Sequence, residues 1–119
     1  MSELTPSFVV TLVHRLFGPA ERDLAAATLE EYGLLPHERE PVRVRIAALK
    51  LSRGDLGRLR EAIEHARRDY RDVLAWAEYP EELRSPTWRL SVGEVERVRA
   101  RDLAQYRDWL AANGWPSVG

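Results

Sequence analysis

Four acidic or imidazole side chains recur at helical spacing in one stretch of the chain: Glu61, His65, Asp69 and Asp72. Residues three or four apart on a helix lie on neighbouring turns, so this set could bind a divalent cation. Arginines interleave with these acids throughout the stretch, however. We therefore predict a solvated ladder of ion pairs, Glu64 with Arg68 and Arg68 with Asp72, in preference to a metal site.

The remaining sequence contains no motif that specifies a reaction. It has no cysteine, which excludes a thiol nucleophile, a zinc thiolate site and disulfide bonds. A Gly-x-Ser-x-Gly nucleophile turn and a Walker phosphate-binding loop are both missing. We predict no catalytic residue, no cofactor and no metal, which favours a non-enzymatic protein without deciding the point. A cysteine-free chain also suits the reducing cytosol, so we expect a cytoplasmic protein.

The overall charge argues against a protein whose whole surface attracts nucleic acid. Lysine and arginine total 18, aspartate and glutamate total 19, and the formal net charge is -1. Binding to phosphate relies on a clear basic excess. Basic residues nevertheless outnumber acidic ones between Arg39 and Arg71. A nucleic-acid-binding regulator that uses residues 39–71 is therefore the alternative function.

Most of the aromatic residues lie from Tyr70 onward, and several surround Pro80. Aromatic and arginine side chains are enriched at binding hot spots, because they bury a large area and keep a polar group available. We predict that this group borders an interaction surface with a polar rim of arginines: Trp76, Tyr79 and Trp88, with Arg84 and Arg89. The alternative is that Tyr70 and Trp76 fill core space against the aromatic residues of the last helix.

Proline, glycine and capping residues divide the chain into five helical segments. These segments are residues 7–17, 19–32, 41–52, 56–78 and 91–113. Thr5 and Asp55 are placed to cap the first and fourth of them. Ser91 and Glu94 have the spacing of a capping box at the start of the last one.

The predicted architecture is an all-α, compact single-domain bundle of four or five helices spanning residues 1–119. The third segment has one alternative, a short strand, because apolar residues alternate with arginines from Val42 to Ile46. Residues 80–90 are expected to form a loop.

The fourth segment carries the clearest periodic signal. Apolar residues recur in it at alternating steps of three and four. They are Leu56, Leu59, Ile63, Ala66, Tyr70, Val73 and Ala77. The pattern predicts one continuous helix about 34 Å long with an unbroken apolar seam.

No stretch of the chain has the pattern of a membrane-spanning segment. The apolar run from Phe8 to Phe17 is short and contains the polar residues Thr11, His14 and Arg15. It matches neither a membrane span nor the core of a signal peptide. We expect no membrane association.

Two runs of the sequence, LSRGDL at 51–56 and DYRDVLAWAEYP at 69–80, are distinctive. With the residues around them, they resemble a group of small uncharacterised bacterial all-α proteins. The resemblance covers residues 49–80, about a quarter of the chain. It implies a bacterial, self-contained helical protein, and it implies no activity and no site residue.

These observations favour a small interaction or regulatory module over an enzyme. The expected partner is another protein or a second copy of this chain, because the aromatic group near Pro80 would expose apolar area that a partner would cover. Nucleic acid is the less favoured partner.

Overall fold

A computed structural model describes residues 4–115. It contains six α-helices: α1 Pro6–Leu16, α2 Arg22–Glu30, α3 Pro41–Ser52, α4 Leu56–Glu78, α5 Pro80–Arg84 and α6 Val92–Ala112. A 3₁₀ turn at Thr87–Arg89 precedes α6, and residues 4–115 include no strand. The predicted all-α, single-domain bundle is confirmed, and the third segment is a helix. Within the same residues, no helix has both the length and the apolar character that a bilayer crossing requires.

Capping side chains set the starts of α1, α4 and α6. The Thr5 hydroxyl accepts a hydrogen bond from the amide of Phe8 at the start of α1. Asp55 accepts from the amide of Arg58 in the same way at the start of α4. The capping box predicted at the start of α6 is present, with both of its reciprocal hydrogen bonds. These short side chains accept from amides that have no partner inside the helix, which is why they recur at helix starts.

Helices α3 and α4 form the centre of the bundle and share its most extensive contact. Helix α3 buries residues on almost every side, including Val44 and the run from Ile46 to Leu49. Helix α1 packs on α3, and α2 packs on α4. Helices α5 and α6 pack on each other and on α4. The near-complete burial of α3 agrees with the apolar residues that almost encircle it.

The apolar seam predicted for α4 faces the core. Its buried members are Leu59, Ile63, Ala66, Val73 and Ala77. Its other two members, Leu56 and Tyr70, are half-buried and pack against the same core. The three-and-four spacing therefore identified the buried face correctly.

The segment predicted as a loop contains a helix, α5, because a residue distant in sequence caps it. Asp102 of α6 is only 2% exposed. Its two carboxylate oxygens each accept a hydrogen bond, one from the amide of Glu81 and one from that of Glu82, both at 2.9 Å. A carboxylate at a helix start satisfies free amides and complements the helix dipole. Tyr79, the residue before α5, supplies no side-chain cap.

The loop between α2 and α3 closes on a second buried carboxylate. One oxygen of Glu38 accepts hydrogen bonds from the amides of Gly33, Leu34 and Leu35, at 2.9, 3.0 and 3.3 Å. Arg67 of α4 lies 3.7 Å from its other oxygen. Burial alone would raise the pKa of Glu38, but the amide donors and Arg67 together outweigh it and lower the pKa. This carboxylate therefore connects the loop to α4.

Candidate functional site

Helix α4 is kinked at Asp69, so the continuous helix expected over residues 56–78 is broken in its middle. The backbone of Asp69 is extended, with φ -155° and ψ 99°. Its carboxylate accepts hydrogen bonds from the amide of Arg71 at 3.1 Å and from the guanidinium of the same residue. Asp69 thus serves as a cap for the second half of α4, which explains the break without proline or glycine.

The kink brings together side chains that a straight helix would hold apart. In a straight helix, His65 and Asp72 would be separated by about 10 Å along the axis, and His65 and Trp76 by about 16 Å. Instead, Nε2 of His65 lies 2.9 Å from Oδ2 of Asp72. The imidazole also packs on the indole of Trp76, with ring centroids 4.6 Å apart. The two halves of α4 therefore hold His65 between a carboxylate and an aromatic ring.

A groove of about 940 Å³ lies beside this cluster. We call it the basic groove, because five cationic side chains line it together with Trp76: Lys50, Arg53, Arg58, Arg68 and Arg84. None of these five forms an ion pair with a carboxylate of the described chain. Glu61 and Glu64 also line the groove, so cations outnumber acids on its wall. Such a surface attracts an anionic ligand.

Lys50 is the most enclosed of the five cations. It is half-buried on α3. Burial lowers the pKa of its amine, repulsion by Arg53 lowers it further, and Asp102 partly opposes both effects. A negatively charged ligand in the basic groove would favour the protonated amine.

Two of the acids considered as metal ligands are engaged by neighbouring side chains. Asp72 contacts His65, and the carboxylate of Asp69 binds Arg71. Within residues 4–115, no three imidazole or carboxylate side chains form a group that could hold a metal ion. The predicted ladder was wrong in its pairs, because Arg68 pairs with neither of its expected acids in the described structure. The kink changes which side chains of α4 are neighbours.

The five residues predicted to border an interaction surface lie in three places. Trp76 and Arg84 both line the basic groove, and Trp76 is 43% exposed. Tyr79 is half-buried and lines a smaller cavity against α6. Trp88 is 77% exposed on the 3₁₀ turn, where the guanidinium of Arg89 lies 4.4 Å from the centre of its ring.

The aromatic residues of α6 do not pack with Trp76 as the core alternative supposed. Tyr106 and Trp109 stack on each other, with ring centroids 6.3 Å apart. Tyr70 packs against the core but remains half-buried. The ring that Trp76 contacts is His65.

Sequence reasoning missed much of the basic groove. Lys50, Arg68 and Gln105 come from three different helices, so no spacing pattern connects them. Two weaker signals were available. Four of the five groove cations lie in the basic stretch of residues 39–71, and Lys50 is the only lysine in a chain whose other basic residues are all arginine. A half-buried cation is a site where lysine and arginine differ, because lysine loses its charge more readily.

The kink predicts a measurable change when the cap at Asp69 is removed. In Asp69→Ala we expect the two halves of α4 to straighten, because alanine favours the helix interior and offers no acceptor for the Arg71 amide. His65 would then leave Trp76. The measurement is the NMR shift of the His65 ring protons, which should lose the upfield displacement that the indole causes.

Asp69→Asn is the matched control, because asparagine is also a good cap and should keep the kink. An Asp69→Ala protein whose His65 ring protons resonate as in the parent would show that the carboxylate does not cause the break.

Comparison with known proteins gave no match: no family profile, curated protein or solved structure is significantly similar to the chain. The resemblance of residues 49–80 to small bacterial proteins therefore stays a prediction.

Proposed function

We propose that this protein is an interaction module whose basic groove binds an acidic segment of a partner protein. The observation that supports this most strongly is the convergence of five cations, none ion-paired within the described chain, on a groove that also exposes Trp76. Guanidinium groups bind carboxylates through charge-assisted hydrogen bonds, and a half-exposed indole can cover an apolar neighbour of those carboxylates.

The arginines of residues 39–71 support a protein partner better than a nucleic acid. Several of them already form ion pairs within the chain: Arg43 pairs with Glu78, Arg67 with Glu38 and Arg71 with Asp69. Arg45 donates to backbone carbonyls at the end of α2. Of the remaining cations, Lys50, Arg53, Arg58 and Arg68 share the groove with two glutamates, whose charges would interrupt the contact with a continuous phosphate backbone. The acidic segment of a protein, with its spaced carboxylates, fits this mixture better.

The exposed residues next to α5 extend the proposed surface. Trp88 lies four positions after the groove residue Arg84 in the sequence, and the guanidinium of Arg89 lies over its indole ring. Leu83 is also exposed, at 50%, and so is Val92, at 77%. Several large apolar side chains that face water in one short stretch of the chain are typical of a binding site.

A short fluorescein-labelled peptide in which glutamate alternates with serine around a central leucine tests the proposal by fluorescence anisotropy. We expect the Arg58→Gln/Arg68→Gln double variant to bind this peptide about tenfold more weakly at low salt. The matched control is Arg60→Gln/Arg97→Gln, which removes two exposed arginines outside the groove and should bind like the parent. An oligothymidylate of the same length is the competing probe. Tighter binding of the oligothymidylate, or no binding of the peptide, would overturn the proposal.

Alanine variants of two aromatic residues locate the apolar part of the surface. We expect Trp76→Ala and Trp88→Ala to weaken peptide binding about fivefold each, as at ordinary hot spots. Trp88→Ala should also leave the melting temperature nearly unchanged, because the side chain is largely exposed. Tyr79→Ala serves as the comparison, because Tyr79 is half-buried against α6 and its loss should reduce stability. If both tryptophan variants bound the peptide like the parent, the binding site would consist of the charged side chains alone.

A further inference from the structure

The loop between α2 and α3 presents two leucine side chains to water, although its backbone is anchored from inside. Leu34 is 74% exposed and Leu35 is 48% exposed. Their amides donate to the buried carboxylate of Glu38, and the hydroxyl of the fully buried Tyr32 donates to the carbonyl of Arg39 at 2.7 Å. A partner that covered these leucines would therefore lose little of its binding energy to ordering the loop.

Two glutamates lie directly before this loop, at the C-terminal end of α2. Glu30 is the last residue of the helix, Glu31 is its C-cap, and both are exposed. Neither forms an ion pair with a described residue. The helix dipole disfavours acids at this end, so the stability of α2 does not explain them. We call residues 30–36 the acidic tip, because this stretch contains two acids, two exposed leucines and no basic residue.

The acidic tip has the composition that the basic groove would select in a ligand. The groove wall combines five cations, two glutamates and the exposed indole of Trp76, so its charge is positive. The tip combines unpaired carboxylates with apolar side chains. The sequence contains one other pair of adjacent acids, Glu81 and Glu82, and these already pair with arginines of α6. The acidic tip is therefore the complementary segment that this chain itself offers.

The acidic tip lies next to the basic groove on the same molecule. Leu35 shares the wall of a smaller cavity, of about 410 Å³, with Glu64 and Arg68. These last two residues also line the basic groove. A tip beside its complementary groove makes one self-complementary surface, which a two-fold axis can close into a dimer.

We propose that two copies of this chain form a dimer in which the acidic tip of each copy binds in the basic groove of the other. The proposal rests on the proposed function, since it identifies the acidic segment as residues 30–36 of a second copy. The glutamates of the tip pair with groove arginines, and its leucines cover the indole of Trp76. Charge-assisted hydrogen bonds between guanidinium and carboxylate groups supply specificity, and covering the leucines removes apolar area from water.

Sedimentation velocity of the parent chain tests the proposal. We expect a dimer at high micromolar protein concentration in low salt, and its dissociation as salt is added, because ion pairs form much of the contact. An excess of the glutamate–serine–leucine peptide should displace the tip and give monomers. A parent that stays monomeric in low salt but binds the peptide would overturn the dimer and leave the proposed function standing. A parent that neither dimerises nor binds the peptide would overturn both.

Charge reversal tests whether the tip meets the groove. Glu30→Arg/Glu31→Arg and Arg58→Glu/Arg68→Glu should each weaken dimerisation about tenfold or more, because like charges then face each other. An equimolar mixture of the two variants should dimerise again. In the mixed dimer one contact is reversed on both sides and the other is unchanged. A mixture that stays monomeric, or either variant dimerising like the parent, would contradict the proposal.

A pair of leucine variants tests the apolar part of the contact. Leu34→Ala should weaken dimerisation about fivefold, because it removes apolar area that the second copy covers. Leu24→Ala is the matched control, since Leu24 is 50% exposed on α2 and lies outside the acidic tip. Both variants should keep the melting temperature of the monomer. Parent-like dimerisation in Leu34→Ala would contradict the placement of the tip against Trp76.

Discussion

The Ile63→Asp variant is expected not to fold cooperatively. Ile63 lies in the apolar seam of α4 and is only 1% exposed. An aspartate there would place an unpaired charge in the core and remove the packing of the isoleucine, at a cost of at least ~4 kcal/mol. Small domains are stable by only ~5–15 kcal/mol, so this one change removes much or all of the stability. Circular dichroism during heating is the measurement.

Two control variants show whether burial causes this loss. Arg60→Asp introduces the same residue three positions earlier on α4, at an exposed site, and should melt cooperatively. Ile63→Val keeps the site apolar and should cost only ~1 kcal/mol. If Ile63→Asp melted close to Arg60→Asp, the central packing of α3 on α4 could not depend on this residue.

The second large effect is expected at Glu38, whose carboxylate connects the loop before α3 to α4. Glu38→Ala leaves the amides of Gly33, Leu34 and Leu35 without their acceptor. We expect it to lower the free energy of unfolding by about 3 kcal/mol, because hydrogen bonds to a charged group are strong and unpaired amides are costly. Glu38→Gln keeps an oxygen acceptor and should lose roughly half as much. The matched control, Glu31→Ala, removes an exposed acid from the same region and should have little effect.

The same carboxylate predicts how stability depends on pH. The folded-state pKa of Glu38 lies below its ordinary value of 4.5. A group of this kind stabilises the fold fully above its unfolded pKa, and the stabilisation disappears as the pH falls through the folded pKa. Urea denaturation between neutral pH and pH ~3 should show the free energy of unfolding declining below pH ~4.5, and declining less steeply in Glu38→Gln. Identical slopes in the parent and in Glu38→Gln would rule out this contribution.

The starts of α1, α4 and α6 could be predicted because they depend on neighbours within one turn. Thr5, Asp55 and the pair Ser91 and Glu94 each cap a helix that begins at the next residue. The buried face of α4 was predictable for a related reason, since residues three and four apart must share a face. Local sequence therefore predicted the all-α fold and the buried face of α4.

The kink at Asp69 could not be predicted in the same way. Aspartate occurs at helix caps and also, at modest cost, inside helices, so its presence does not decide between the two. The apolar seam continues through this position and favours an unbroken helix. Only the folded chain, in which His65 meets Asp72 and Trp76, shows the break.

The candidate site was therefore predicted in part. The aromatic group near Pro80 led to Trp76 and Arg84, which lie together on the basic groove. The same reasoning placed Tyr79 and Trp88 beside them, whereas one lies against α6 and the other on the 3₁₀ turn. Residues close in sequence point in different directions once a helix ends, because each loop conformation sets its own orientation.

The sequence by itself determined where α1, α4 and α6 begin and which face of α4 is apolar. The tertiary structure decided the features that join distant residues: the capping of α5 by Asp102, the approach of Arg67 to Glu38, and the basic groove. In the sequence, Asp102 lies between Arg101 and Leu103 and resembles any solvated acid. Its partners lie about twenty residues away, and no local pattern records a contact that forms only when α6 packs against α5. The physical reason is that helix propensity and capping are local interactions, whereas burial and charge pairing depend on how the finished helices pack.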